Sequence, residues 1–271
     1  MRVSKLHGTL VLALCLVAAG AGFSPSTNNK SARISTHLYQ EATEARETQK
    51  RQPWDVLRFI NQSSKFITFP SFGSTSSSKR IVKPGEVLWQ PSSSRSFQWA
   101  PLDDVVMGGA SRSDIDNKSG LWKGLVTDAN SGGFVGIRSV KDLKLDLTNC
   151  QGLEFTFQSS PIMPTRLKVV LRDSTDFNGI AWTSSVDVPK SGGNNIKNKQ
   201  VRVKLPLNKP NSLVPTKFAQ IINDDSVKEG INKSSITALQ LVYSKFEYEG
   251  ALNPKFVAGD FELQVLEVKA Y

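Results

Sequence analysis

Six short runs between Leu153 and Val265 place an apolar side chain at nearly every second position. Leu153, Phe155 and Phe157 alternate with Glu154, Thr156 and Gln158, and Leu167, Val169 and Leu171 with Lys168, Val170 and Arg172. Ile180, Trp182, Ser184 and Val186 share one face of the next run. The sets Val201/Val203/Leu205, Leu239/Leu241/Tyr243 and Phe261/Leu263/Val265 follow. Successive strand residues point to opposite faces, so such a chain buries one face of each strand and wets the other. Turn clusters such as SGGNN at 191–195 separate the runs, which is the pattern of an antiparallel β-sandwich. Residues 88–271 are enough for one such domain with a real core.

A second signature lies upstream. DDVVMGGAS at 103–111 is answered by GGF at 132–134. Glycine pairs let a backbone take positive φ or approach another segment closely. Two such sites beside strand-like runs predict that the two segments cross in contact at the mouth of the sandwich, with Met107 reading as buried. Asp103 and Asp104 are adjacent, so on a strand they would face opposite ways and could not share a substrate as a glycosidase pair does. They read as caps for backbone N–H groups in a turn.

Composition narrows the chemistry. Both histidines, His7 and His37, and one of the two cysteines, Cys15, precede residue 40, leaving only Cys150 beyond it. Without the leader there is no Ser-His or Cys-His nucleophile pair, no His/Cys zinc cluster and no intramolecular disulfide. Cys150 reads as a small buried hydrophobe. Residues 1–40 contain four bases and no acid, so the remainder carries about +6 of the total +10. That excess suits an acidic partner, an anionic membrane surface or RNA.

Residues 1–22 read as a signal peptide: Arg2 and Lys5 precede the apolar run TLVLALCLVAAGAG, which is shorter than a membrane span. Residues 23–40, opening with Phe23 and rich in Ser, Thr and Asn, read as a transit-like segment. This bipartite address points to the plastid stroma, with the mitochondrion and the secretory pathway as alternatives. Residues 41–69 read as a helical extension, its helical pattern running over 38–62. Trp54, Leu57 and Ile60, with Val56 and Phe59 nearby, form the apolar face expected to pack on the sandwich; docking to a partner or membrane is the other reading. Residues 70–87, rich in Ser, Gly and Pro, read as a linker.

Trp99, DDVVMGG, LWKGLV, GGF, GLEFTF, RLKVVLRD, IAWTSSVDVP, VRVKLPLNKP and the closing FELQVLEV together resemble the complex I intermediate-associated protein 30 family over roughly 88–271. The resemblance implies an all-β, galactose-binding-like jelly-roll sandwich with an N-terminal helical extension. It implies a non-enzymatic assembly factor that binds immature subunits of a multi-subunit membrane electron-transfer complex, without cofactor or metal. A plastid address would make that complex photosynthetic. The motif-based binding residues are Trp99, Asp103, Asp104, Met107, Gly108, Gly109, Ser111, Gly132, Gly133 and Phe134.

Other candidates have plainer readings. Asp114, Asp116 and Asn117 fit a calcium loop poorly, because Lys118 and Ser119 occupy ligand and glycine positions, so a hairpin turn is expected. Trp99, Trp122 and Trp182 invite a sugar-stacking, lectin-like alternative, yet Trp182 alternates with core residues. Arg166, Lys168, Arg172, Arg202 and Lys204 lie opposite their strands' apolar residues and form one basic face if those strands are neighbours. A solvated, aggregation-resisting sheet face is the plain reading and a partner-binding surface the functional one; a plastid RNA would also suit it, although no clear row of exposed aromatics accompanies it.

Overall fold

The computed structural model describes residues 53–66, 79–140, 142–176, 178–189 and 199–271. The two leader segments, the start of the helical extension and the SGGNN cluster lie outside the described residues. Everything below belongs to the compact unit Arg51–Tyr271.

Among the described residues the strands are β1 (Arg80–Ile81), β2 (Val87–Trp89), β3 (Trp99–Pro101), β4 (Arg112–Asp116), β5 (Leu121–Val126), β6 (Phe134–Ser139), β7 (Leu145–Asp146) and β8 (Gly152–Gln158). They continue as β9 (Arg166–Arg172), β10 (Ala181–Asp187), β11 (Gln200–Pro206), β12 (Val214–Lys217), β13 (Gln220–Ile221), β14 (Ala238–Ser244) and β15 (Gly259–Ala270). One sheet runs β13-β12-β10-β9-β14-β6-β3 and the other β11-β8-β15-β5-β4, with β2 added alongside β15. Pairing within both sheets is antiparallel. This is the antiparallel sandwich that the alternating runs predict, in the all-β jelly-roll form that the resemblance implies.

The apolar sets all point inward. Leu153, Phe155, Phe157, Leu167, Val169, Leu171, Leu241, Leu263 and Val265 are buried to 1% exposure or less. Each such side chain contributes about 1.5–3 kcal/mol relative to exposure, which is why the period-two pattern dictates the register. Trp89 meets Trp99 and Tyr243 meets Phe261 across the sheets, with centroids 6.0 Å apart in both pairs. In β15 the alternation breaks. Val265 pairs with Phe157 and Glu267 with Thr156, so Leu266 is the extra residue of a bulge. The shift turns Val268 and Ala270 inward and keeps Glu267 out of the core.

Two readings of the N-terminal part change. The expected linker at 70–87 gives way to ordered backbone from residue 79. β1 pairs in parallel with β7, Val82 is fully buried, and the Cys150 thiol lies 3.6 Å from the Val82 carbonyl. Cys150 is 1% exposed, and burial pushes its thiol pKa up, as expected of a packed hydrophobe.

The second change concerns helix α1 (Val56–Ser64). The Asp55 carboxylate caps it by accepting from Arg58 N at 2.9 Å. Its apolar side does not pack on the sandwich: Val56, Leu57 and Ile60 are 44, 81 and 55% exposed. The bracing face is polar, with Gln62 as its buried residue. The physical reason is the surface beneath, which offers carbonyl and carboxylate oxygens in place of an apolar groove.

Candidate functional site

β3 ends at Pro101, and the chain turns through Asp103 into the 3₁₀ turn Asp104–Met107, which closes on Gly108 with φ +85°. That left-handed conformation suits glycine. The two carboxylates are 0 and 1% exposed and diverge to different partners. Asp104 reaches across to the second glycine pair: Oδ2 accepts from Gly133 N at 2.7 Å and Phe134 N at 3.3 Å. Its Oδ1 accepts from Ser111 N at 2.9 Å. The glycines are where this carboxylate needs room. A Cβ on Gly109 would lie 2.7 Å from Asp104 Cβ and closer still to its carboxyl. A Cβ on Gly132 would fall inside 3.0 Å of Asp104 Oδ2. The crossing segments are thus joined by Asp104, and Asn130 Nδ2 adds a bond to Gly108 O at 3.1 Å.

Asp103 points the other way. Its Oδ2 accepts from Arg58 Nη2 at 2.5 Å, Gln62 Nε2 at 3.0 Å and Ser113 N at 2.8 Å. Its Oδ1 accepts from Ser113 Oγ at 2.6 Å and Gly136 N at 3.3 Å. Burial pushes the Asp103 carboxyl above the ordinary range, opposed by the Ser113 and Gln62 hydrogen bonds and then by the Arg58 charge. Both acids therefore hold distant strands together, a longer reach than the local turn caps expected. Ser111 belongs to the same network, donating Oγ–H to Thr127 O and accepting from Thr127 N, each at 3.0 Å.

Of the remaining motif residues, Phe134 is half-buried and Trp99 is 2% exposed against the edges of Trp89 and Phe97. Met107, expected inside, is 76% exposed, because the 3₁₀ turn buries Val105 and presents Met107 outward. Trp122 and Trp182 are core residues at 0 and 5% exposure. The hairpin at 116–120 is present: Asp116 Oδ1 accepts from Lys118 N and its Oδ2 from Ser119 Oγ. Asn117 clamps the Trp99 backbone through Oδ1 at 2.8 Å and Nδ2 at 3.0 Å.

The single basic face does not form. β9 and β11 sit in different sheets, so Arg166, Lys168 and Arg172 are separated from Arg202 and Lys204. Arg166 pairs with Glu247 at 2.7 Å and Asp187 at 2.8 Å. Lys168 donates to Glu247 O at 2.8 Å, lies 5.0 Å from the Tyr248 ring centroid, and is pushed down to about 8 chiefly by burial. Arg172 donates to the Asp176 and Gly179 carbonyls. Lys204 stands 3.7 Å from Glu154 and 4.6 Å from the Tyr271 ring centroid. Alternation fixes a residue's face but not its sheet.

Sequence reasoning missed the partners of Asp103. Trp54 Nε1 donates to Val105 O at 2.9 Å and Arg58 Nη1 to Ser111 O at 2.8 Å. Asp103 N donates back to Gln62 Oε1 at 2.9 Å, and the Phe66 ring lies 5.5 Å from the Arg138 guanidinium. Arg58 and Gln62 share one face of the helix, and Trp54 just before it and Phe66 just after it continue the four-residue spacing. That spacing was the available signal, masked by the louder apolar residues beside it.

Two antiparallel sheets, tied together where the glycine-rich segments cross, define an all-β jelly-roll sandwich. Within that class, the model of the complex I intermediate-associated protein 30 family matches residues 88–265, and the chain belongs to that family. No curated protein matches the chain. Among solved structures, it is similar to a family 11 carbohydrate-binding module from Clostridium thermocellum in complex with a mixed-linked tetrasaccharide. There the identity is 12% and the TM-score 0.41, over 70% of this chain and 96% of the other. It is also similar to PfGH50B, at 11% identity and TM-score 0.36 over 65% of this chain and 22% of the other. An agarase, AgWH50C, aligns at 10% identity and TM-score 0.36, over 70% of this chain and 26% of that one.

Proposed function

We propose that this protein is a non-enzymatic assembly factor that holds immature subunits of a multi-subunit membrane electron-transfer complex. The observation that carries the reading is the family match across 88–265, since the family is described by its association with complex I intermediates. The commitment of Asp103 and Asp104 to bonds within the fold supports it, because neither carboxylate is left to act on a substrate. The leader at 1–40, read as signal peptide followed by transit-like segment, directs the protein to the plastid stroma. The client there is a photosynthetic complex; in a mitochondrion it would be the respiratory NADH dehydrogenase.

Disruption of the gene followed by native electrophoresis of thylakoid and mitochondrial membranes tests this. The expected result is accumulation of a subcomplex and loss of one mature electron-transfer complex. Normal amounts of every such complex in both membranes would remove the proposal.

A further inference from the structure

Helix α1 and Trp54, which leads into it, are held by directional bonds to oxygens: Val105 O from Trp54, Ser111 O and Asp103 Oδ2 from Arg58, and Asp103 Oδ2 again from Gln62. A helix that serves only as a brace buries its apolar stripe. This one keeps Leu57 81% and Ile60 55% exposed, with Met107 of the receiving turn 76% exposed. A helix docked with so little apolar burial opens more readily than the core beneath it. The receiving surface is fixed without it. Asp103 is held by Ser113 N, Ser113 Oγ and Gly136 N, and Ser111 by Asp104 and Thr127.

We propose that the oxygen-lined surface of Asp103, Val105 and Ser111 is a recognition site for an arginine-bearing helix of a different polypeptide, and that α1 is its resident, displaceable occupant. Charge complementarity selects the occupant. Asp103 is a fully buried carboxylate that receives the Arg58 guanidinium, and a helix with an uncharged residue there leaves it unpaired, at high cost. The matching stripe is tryptophan, then arginine four residues on, then glutamine after four more. The Val56, Leu57 and Ile60 face, already exposed while α1 is docked, stays available to the same partner after displacement. The inference goes beyond the assembly reading and does not depend on which complex is the client.

The test uses the full chain carrying Arg58→Ala and Gln62→Ala, titrated with a fluorescein-labelled peptide of residues 53–66 and followed by anisotropy. The opened chain is expected to bind the peptide at least about tenfold more tightly than the wild type, whose site is filled. Adding Asp103→Asn is expected to weaken binding by at least about tenfold. No saturable binding to the opened chain, or binding indifferent to Asp103→Asn, overturns the proposal.

Because Arg58→Ala leaves a buried carboxylate without its cation, the unmodified chain supplies a second measurement. Amides of 56–64 are expected to exchange at least about a hundredfold faster than those of Phe155 and Leu263. Exchange of the helix only together with those core amides overturns the proposal. So does a wild-type dimer abolished by Asp103→Asn, which would make a second copy the occupant.

Discussion

Gly132→Ala isolates the reason for the second glycine pair. Gly132 has φ −71°, which alanine adopts without strain, so the substitution tests space alone. The new methyl would fall inside 3.0 Å of Asp104 Oδ2 and 3.0 Å from Ala129 O. Ordinary contact needs about 3.5 Å, so the carboxylate must retreat by about 1 Å. That retreat breaks the bonds Oδ2 accepts from Gly133 N at 2.7 Å and Phe134 N at 3.3 Å. Hydrogen bonds to a charged group are worth about 1.5–3 kcal/mol each. Restricting the unfolded chain returns about 0.4–1 kcal/mol. The net loss is about 2–5 kcal/mol, read as a lower guanidinium midpoint at unchanged slope.

The decisive arm is the cycle with Asp104→Ala. That change alone orphans the Ser111, Gly133 and Phe134 amides and costs several kcal/mol. In its background Gly132→Ala should cost less than about 1 kcal/mol, a coupling of more than about 1 kcal/mol. A neutral Gly132→Ala, or a cost unchanged by removing Asp104, would refute the idea that the glycines exist to admit this carboxylate.

Three further expectations follow from the same geometry. Asp103 takes up a proton on folding, because its folded pKa is raised, so its stabilisation is present at low pH and falls as pH rises through the folded value. The stability of wild type relative to Asp103→Asn should therefore decline as pH rises above the ordinary aspartate value of 3.8, measured by denaturant titration. Lys168, pushed from 10.5 to about 8, releases a proton on folding. Stability should rise between those values, and any advantage of Lys168→Met at neutral pH should shrink there by about 2–3 kcal/mol. Asn117→Ala removes both side-chain bonds to the Trp99 backbone. It should cost about 2–4 kcal/mol and alter the tryptophan near-ultraviolet circular dichroism.

The sandwich was readable because burial of one strand face leaves a two-residue period that nothing else imitates. The inward sets from Leu153 to Val265 are buried or packed on the core as that period requires, although Glu154, Thr156 and Val170 on the opposite faces are buried as well. Three features were not readable for specific reasons. The assignment of β9 and β11 to different sheets depends on long-range pairing, which alternation does not encode. The bulge at Leu266 needs the partner strand β8 to define which residue is extra. Helix α1 was expected to bury its apolar face, but Asp103, Val105 O and Ser111 O present oxygens to it.

At the DDVVMGGAS and GGF motifs, the crossing was legible from the two glycine pairs, but the agent joining them was not. Adjacent acids suggest local capping, whereas Asp104 reaches Gly133 and Asp103 reaches Gly136 and Arg58. Met107 was misjudged because a single apolar letter does not show which way a 3₁₀ turn faces.

Amide exchange at Gly133, followed by NMR in wild type and Asp104→Ala, tests most directly whether this carboxylate is the cross-link. The wild-type Gly133 and Ser111 amides should be protected to the level of Phe155. In the variant both should exchange at loop rates while Phe155 stays protected. Rapid exchange of Gly133 in the wild type, or protection that survives loss of Asp104, would contradict the structural role assigned to the motif.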